Sequence, residues 1–131
     1  MKTYEGVRKI VANSSTNSKE INSTIYVGEG VTSQLEFHGG SGNDSYYLDG
    51  GSTTAINLIT GGAGNDIIVV GGSATGRRFR IEGGEGTNEL EGGPGADEII
   101  GGSGVNFMKG NGGSDVIRVQ GGTNYILGDE G

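Results

Sequence analysis

The chain has 131 residues, of which 30 are glycine and only 31% are hydrophobic, and its net charge is −7. This composition excludes an ordinary globular core, because glycine loses more conformational entropy on folding than any other residue and little apolar surface is present to offset that loss. The acidic balance excludes nucleic acid and anionic membrane surfaces as partners and predicts cations instead. With no cysteine and one histidine, disulfides, thiolate sites and zinc are also excluded, and no apolar run approaches the ~20 residues that cross a bilayer.

Residues 1–38 lack glycine turns but contain two β-like segments, TIYV at 24–27 and QLEF at 34–37. The end of a repeat array needs a cover over its exposed strand edges. We therefore interpret 1–38 as a cap or as a degenerate first coil of the region that follows. His38 is interpreted as a strand-end residue and not as a catalytic one.

From Gly39 onward the chain consists of short glycine-rich units. Most units have nine residues, while 48–60 and 70–82 have thirteen, and their four extra residues are expected to lengthen one turn. A glycine turn followed by a short strand with one inward apolar side chain is the unit of a parallel β-solenoid, so each unit is expected to form half a coil. The next-to-last position is apolar in every unit: Tyr46, Ile59, Ile68, Ile81, Leu90, Ile99, Met108, Ile117 and Ile126.

Three units fit the pattern G-G-x-G-x-D-x-U-x at every position, where U is a large apolar residue: GGSGNDSYY (39–47), GGAGNDIIV (61–69) and GGPGADEII (92–100). The unit that begins at Gly110 departs only at Asn111. On these motifs, residues 39–131 resemble the RTX (repeats-in-toxin) calcium-binding repeats. The resemblance implies an all-β fold, a right-handed parallel β-roll (a β-solenoid) behind an N-terminal β cap, with several bound Ca²⁺ ions.

Calcium takes six to eight oxygen ligands from carboxylates and carbonyls, and affinity falls as the number of charged ligands falls. In the family that this chain resembles, successive turns on one edge sandwich each ion, so units two apart are partners. That rule predicts one edge with Asp44, Asp66, Asn88, Asn106 and Asn124, and an opposite edge with Asp97, Asp115 and Asp129. We expect the tightest sites at the pairs Asp44/Asp66 and Asp97/Asp115, and weak or vacant sites along the asparagines.

The resemblance carries over to a larger set of turn positions, whose side chains or carbonyls are the expected ligands. The alternatives are that the asparagines close their turns without metal and that the aspartates are simple turn residues. The expected metal ligands are Gly39, Ser41, Asn43, Asp44, Gly61, Ala63, Asn65, Asp66, Gly83, Glu85, Asn88, Gly92, Pro94, Ala96, Asp97, Asn106, Gly110, Gly112, Ser114, Asp115 and Asp129.

The sequence predicts a calcium-binding module that folds on Ca²⁺ binding outside the cell and acts as a spacer in a larger secreted or bacterial surface protein. The free energy of calcium binding would then stabilise the folded state of the module. Export by type I secretion is implied by the resemblance. The alternative is an adhesin module that contacts glycans or neighbouring chains through Tyr47 and the basic cluster at 77–80. No enzyme activity is expected, because metal binding explains the carboxylates in the glycine turns better than catalysis does.

Overall fold

The computed structural model describes residues 6–13 and 21–128. Within these ranges the chain forms twelve β-strands and no helix, so no helix capable of crossing a membrane occurs in the described part. The strands are β1 (Lys9–Asn13), β2 (Thr24–Val27), β3 (Gln34–Ser41), β4 (Ser45–Leu48), β5 (Asn57–Ala63), β6 (Ile67–Val70), β7 (Phe79–Glu85), β8 (Thr87–Glu91), β9 (Glu98–Gly102), β10 (Val105–Lys109), β11 (Val116–Arg118) and β12 (Thr123–Leu127).

The strands alternate between two six-stranded parallel sheets. One sheet has the order β1-β3-β5-β7-β9-β11 and the other β12-β10-β8-β6-β4-β2. Each strand therefore pairs with the strand two places along the chain, and the chain winds as a parallel β-solenoid with two strands per coil. From β3 onward, paired positions are 22 residues apart in the earlier coils and 18 apart in the later ones. The fold class expected from the repeat pattern is confirmed.

The core is two ladders of apolar side chains, one from each sheet. Strands such as β4 and β6 alternate half-buried and buried positions, as expected for a sheet with one face packed on the core. The fully buried ladder residues include Tyr46, Ile68, Leu90 and Met108 in one sheet and Ile59, Ile81 and Ile99 in the other. Burial of each such side chain contributes roughly 1.5–3 kcal/mol.

The apolar ladders are less covered at the C-terminal end of the solenoid. Ile117 is only partly buried, and Ile126 is 49% exposed. Both lie in the last described strands of their sheets, β11 and β12, where no further described strand packs against them. The inward direction of these positions is therefore retained, but the burial expected for every unit is not reached in the last one.

The N-terminal region extends both sheets. β1 pairs in parallel with β3, and β2 pairs in parallel with β4. The β-like segments at 24–27 and 34–37 are strands, as expected. The domain boundary at residue 38 stays a prediction.

The connections between strands form two edges. We call the turns that lead from odd to even strands the first edge, and the connections that lead from even to odd strands the second edge. The two thirteen-residue units place their extra residues in the connections 49–56 and 71–78, both on the second edge. The expected lengthening of a turn is therefore confirmed.

Candidate metal centre

From Gly42 onward, each turn of the first edge is stacked closely on the turn of the neighbouring coil. Gly64 has a φ of 129°, and a Cβ on it would collide with the carbonyl oxygen of Gly42 in the coil before. Only glycine satisfies both the positive φ and this close approach. The stacking brings the residue at the sixth position of each unit, such as Asp44 and Asp66, into one continuous column.

A ladder of hydrogen bonds joins this column along the first edge. The Ser23 N–H donates to Asp44 Oδ1 at 2.6 Å, and the Asp44 N–H donates to Asp66 Oδ1 at 2.9 Å. The Asp66 N–H in turn donates to Asn88 Oδ1 at 3.0 Å. Asp44, Asp66 and Asn88 are all fully buried. Oδ1 of each of these side chains therefore accepts a hydrogen bond from a main-chain N–H of the preceding coil.

The second carboxylate oxygen of each aspartate lacks such a partner. Oδ2 of Asp44 and Oδ2 of Asp66 are buried and accept no hydrogen bond. Both point into the space beside the first glycine of their own unit: a Cβ on Gly39 would meet Asp44 Oδ2 together with the carbonyl oxygen of Gly61. A Cβ on Gly61 would meet Asp66 Oδ2 together with the carbonyl oxygen of Gly83.

These convergent oxygens fit a cation. A buried carboxylate oxygen that faces a carbonyl oxygen has no donor to compensate its desolvation, which makes it costly unless a proton or a cation lies between. Calcium prefers this mixture of carboxylate and carbonyl oxygens. In the described part of the chain no three acidic, histidine or cysteine side chains cluster, so a cation here would depend on paired carboxylates and main-chain carbonyls.

The asparagines of the first edge occupy the same space with a nitrogen atom. A Cβ on Gly83 would lie 2.9 Å from Asn88 Nδ2, and one on Gly101 would lie 3.0 Å from Asn106 Nδ2. The amides donate along the column, from Asn88 Nδ2 to Asn106 Oδ1 at 3.1 Å and from Asn106 Nδ2 to Asn124 Oδ1 at 3.0 Å. Asn124 Nδ2 ends the series by donating to the carbonyl oxygen of Gly121 at 2.9 Å. This part of the edge satisfies its own polar groups.

The second edge brings Asp97 and Asp115 together, and here the carboxylate of Asp97 is already occupied. Its Oδ1 accepts from the Phe79 N–H at 2.8 Å and its Oδ2 from the Gly93 N–H at 2.7 Å. The Asp97 N–H donates to Asp115 Oδ1 at 2.9 Å. Oδ2 of Asp97 still faces a carbonyl, because a Cβ on Gly92 would lie 2.8 Å from it and 2.7 Å from the oxygen of Gly110.

The second-edge column also contains Asn57 and Phe79, of which Asn57 was not predicted from the sequence. Asn57 Oδ1 accepts from the N–H groups of Leu35 and Ser52 at 3.1 and 2.9 Å. Its Nδ2 donates to the carbonyls of Ser52 and Arg78 at 3.0 and 3.1 Å, so the amide is fully satisfied. Both residues stand two places before an inward isoleucine, as Asp44 stands before Tyr46. Counting backward from the apolar ladder would have found Asn57.

The remaining expected ligands have other bonds or lie in the second-edge turns. The carbonyls of Ser41, Ala63 and Glu85 accept N–H groups from Ile21, Gly42 and Gly64. The exposed side chains of Asn43 and Asn65 accept the N–H groups of Asn65 and Thr87 along the outside of the turns. Asp129 lies outside the described residues. Pro94 and Ala96 lie in the turn between β8 and β9, and Gly112 and Ser114 lie in the turn between β10 and β11.

Burial of the carboxylates affects their protonation. It raises the pKa of Asp66 to about 6, with the charge of Asp44 adding to the effect and the hydrogen bond from the Asp44 N–H opposing it. Burial also raises the pKa of Asp97, against the N–H groups of Phe79 and Gly93. The pKa of Tyr46 is raised by its burial and by the charges of Asp44 and Asp66. Two neighbouring ionised carboxylates, those of Asp44 and Asp66, are therefore electrostatically unfavourable in this buried column without a cation.

The repeat geometry agrees with a comparison against protein-family models. The model of the RTX calcium-binding nonapeptide repeat matches the chain in four copies, at residues 36–55, 53–74, 82–117 and 100–131. These matches cover more than half of the chain. The chain belongs to the RTX calcium-binding repeat family. It is thus a calcium-binding repeat module, and its parallel β-solenoid is consistent with the RTX β-roll. No curated protein and no solved structure matches the chain.

Proposed function

We propose that this RTX module folds when calcium binds outside the cell and serves as a structural spacer in a larger secreted or cell-surface protein. The observation that carries the proposal is the pair of buried oxygens, Asp44 Oδ2 and Asp66 Oδ2, which accept no hydrogen bond and face main-chain carbonyls. Calcium would supply the positive charge that this column requires.

The residues that would hold calcium are the carboxylates of Asp44 and Asp66 with the carbonyls of Gly61 and Gly83. Asp97 and Asp115 form the second proposed site. We rank it below the first, because both oxygens of Asp97 already accept backbone N–H groups.

Coupling of calcium binding to folding follows from the charge of the chain. At a net charge of −7 and with 30 glycines, the unfolded state is favoured by both repulsion and entropy when calcium is scarce. A ligand that binds only the folded state stabilises it in proportion to the logarithm of its concentration. Extracellular calcium would thus select the folded coil.

Calorimetry and circular dichroism of the full chain test this proposal. We expect the β spectrum seen in calcium to be weaker in chelator, because the coils with Asp44 and Asp66 would lose their cation, and we expect Asp66→Asn to bind fewer ions than the unaltered chain. Asn88 shows that asparagine fits the same column. Glu89→Gln is the matched control, because it removes the same charge from an exposed position. Identical spectra with and without chelator, with no calcium binding, would contradict the proposal.

An adhesion role is the second candidate, and stacked aromatic side chains on the outer face of the even-numbered sheet favour it. The rings of Tyr26 and Tyr47 stack with centroids 5.1 Å apart, and Tyr26 is 75% exposed. The basic cluster supports it less than expected, because Arg80 is paired with Glu82 and Glu98 at 2.8 and 3.2 Å. Glycan-array binding that is lost in Tyr47→Ala would support this role, and binding that persists would remove it.

A further inference from the structure

The side chain of Arg77 lies at the second edge and binds four main-chain carbonyls. Its Nε donates to the oxygen of Gly51 at 3.0 Å and its Nη2 to the oxygen of Glu29 at 3.2 Å. Its Nη1 lies 3.4 Å from the oxygens of Ser73 and Thr75 in its own connection. These acceptors come from three successive second-edge connections, which precede β3, β5 and β7.

The same three connections lack the carboxylate column that the later part of the edge carries. Where Asp97 and Asp115 stand in later coils, the paired strands have Leu35, Asn57 and Phe79. Two of these side chains are apolar, and the amide of Asn57 is fully satisfied by Leu35, Ser52 and Arg78. No carboxylate pair of this column is therefore present to hold a metal ion here.

We infer that Arg77 is a fixed cation that joins the three N-terminal turns of the second edge in the place of a metal ion. A guanidinium is permanently charged and presents five N–H donors in a rigid fork, so it can bind carbonyls of several turns at once. It belongs to the chain and is present at every calcium concentration. These turns are thereby held without metal, and the requirement for calcium is confined to the aspartate pairs.

The hydrogen-bonding role of Arg77 stands on its own geometry, while its comparison with calcium rests on the proposed function. Hydrogen exchange of the full chain, measured by mass spectrometry in saturating calcium, tests the role directly. The most informative amides are those of Gly51, which donates to Val31 O at 2.7 Å, and Asn57, which donates to Arg78 O at 3.0 Å. In Arg77→Met we expect both to exchange about tenfold faster or more, because charge-assisted bonds between turns are lost.

Arg78→Met is the matched control, since it removes the same charge from the adjacent, exposed position. We expect its amides at 51 and 57 to exchange as in the unaltered chain, and we expect millimolar methylguanidinium to slow exchange again in Arg77→Met. Arg77→Lys keeps the charge without the fork and should exchange at an intermediate rate, which gives a second measurable variant if Arg77→Met does not fold.

Three outcomes distinguish a failure of this inference from a failure of the proposed function. Equal exchange at residues 51 and 57 in the Arg77 and Arg78 variants would overturn the role of Arg77, whatever the chain does with calcium. Calorimetry should give the same number of calcium ions for Arg77→Met as for the unaltered chain, and a lower number would overturn the statement that these turns take no metal. Absence of calcium binding in the unaltered chain would instead contradict the proposed function alone.

Discussion

The two halves of the first edge differ by one atom at each turn. In the half with Asp44 and Asp66, a carboxylate oxygen points at a carbonyl oxygen beside the first glycine of the unit. In the half with Asn88 and Asn106, an amide nitrogen occupies the same place and donates to the next asparagine. Backbone, glycine spacing and inward apolar ladder are shared by both halves.

This difference means that coils of the same architecture can differ in whether they need a metal ion to be stable. The aspartate half has buried acceptors without donors, so we expect its closure to require a cation or protons. The asparagine half pairs each amide with the next, so we expect it to close without metal. One repeat architecture therefore accommodates coils of both kinds, and the choice lies in the sixth residue of the unit.

The largest expected effect comes from converting the asparagine half into the aspartate half. Asn88→Asp with Asn106→Asp replaces two donated hydrogen bonds by facing oxygens in a fully buried column. In chelator, we expect the free energy of unfolding to fall by roughly 3–5 kcal/mol, as when a buried charge loses its partner. In calcium, we expect calorimetry to detect at least one additional ion.

The matched control for this exchange is Asn43→Asp with Asn65→Asp, which adds the same charge at exposed positions of neighbouring turns. Oδ1 of Asn43 and Oδ1 of Asn65 each accept a hydrogen bond from a main-chain N–H, and a carboxylate oxygen can accept the same bond. If the buried and the exposed pairs of substitutions have equal effects in chelator, then the amide column is not what stabilises this half.

A smaller effect is expected from filling the space into which the carboxylate points. A methyl group in Gly61→Ala would meet Asp66 Oδ2 and the carbonyl of Gly83. We expect a loss of about 1–3 kcal/mol, typical of overpacking, together with weaker calcium binding in calorimetry. Gly72→Ala is the control, because no atom lies within 4 Å of its added Cβ. In the other half, Gly101→Ala should destabilise the coil without changing the calcium isotherm.

Much of the fold was predictable from the sequence because its period is carried by two independent features. The glycine turns and the apolar residue two places after the sixth position repeat together, so they fix which residues point inward and which turns are stacked. The column from Asp44 to Asn124 follows directly from this period. Asn57 was not predicted because four extra residues displace the glycines of its unit, while the distance to the inward isoleucine is unchanged.

Two features of the site could be recognised only from the structure and not from the sequence. Asp44 and Asp97 have the same place in the repeat, yet only Asp44 keeps an oxygen without a donor, since the N–H of Gly93 reaches Asp97 Oδ2. That bond depends on the path of the chain through the turn at Gly93, which the repeat pattern does not specify. The sequence marks Arg77 only as part of the basic cluster at 77–80. Its bonds between turns could not be predicted, because its acceptors are main-chain carbonyls of residues as distant as Glu29.

The last expected effect is a pH dependence of stability whose sign differs between the metal-free and the calcium-bound chain. Burial raises the pKa of Asp66 from 3.8 to about 6, so the folded state binds a proton more tightly than the unfolded state does. In chelator, its stabilising contribution is complete below pH 3.8 and is lost as the pH rises through about 6. A shift of this size corresponds to about 2–3 kcal/mol. With calcium the sign of the pH dependence reverses, because protons compete with the ion for the carboxylate, and stability should rise over the same interval.

Urea unfolding between pH 4 and 7 measures how stability changes with pH in chelator and in calcium. Asp66→Asn should flatten both slopes, since an amide does not titrate. Slopes of equal sign in chelator and in calcium would show that the aspartate half does not exchange a proton for a metal ion, and the contrast between the two halves of the edge would then be one of packing alone.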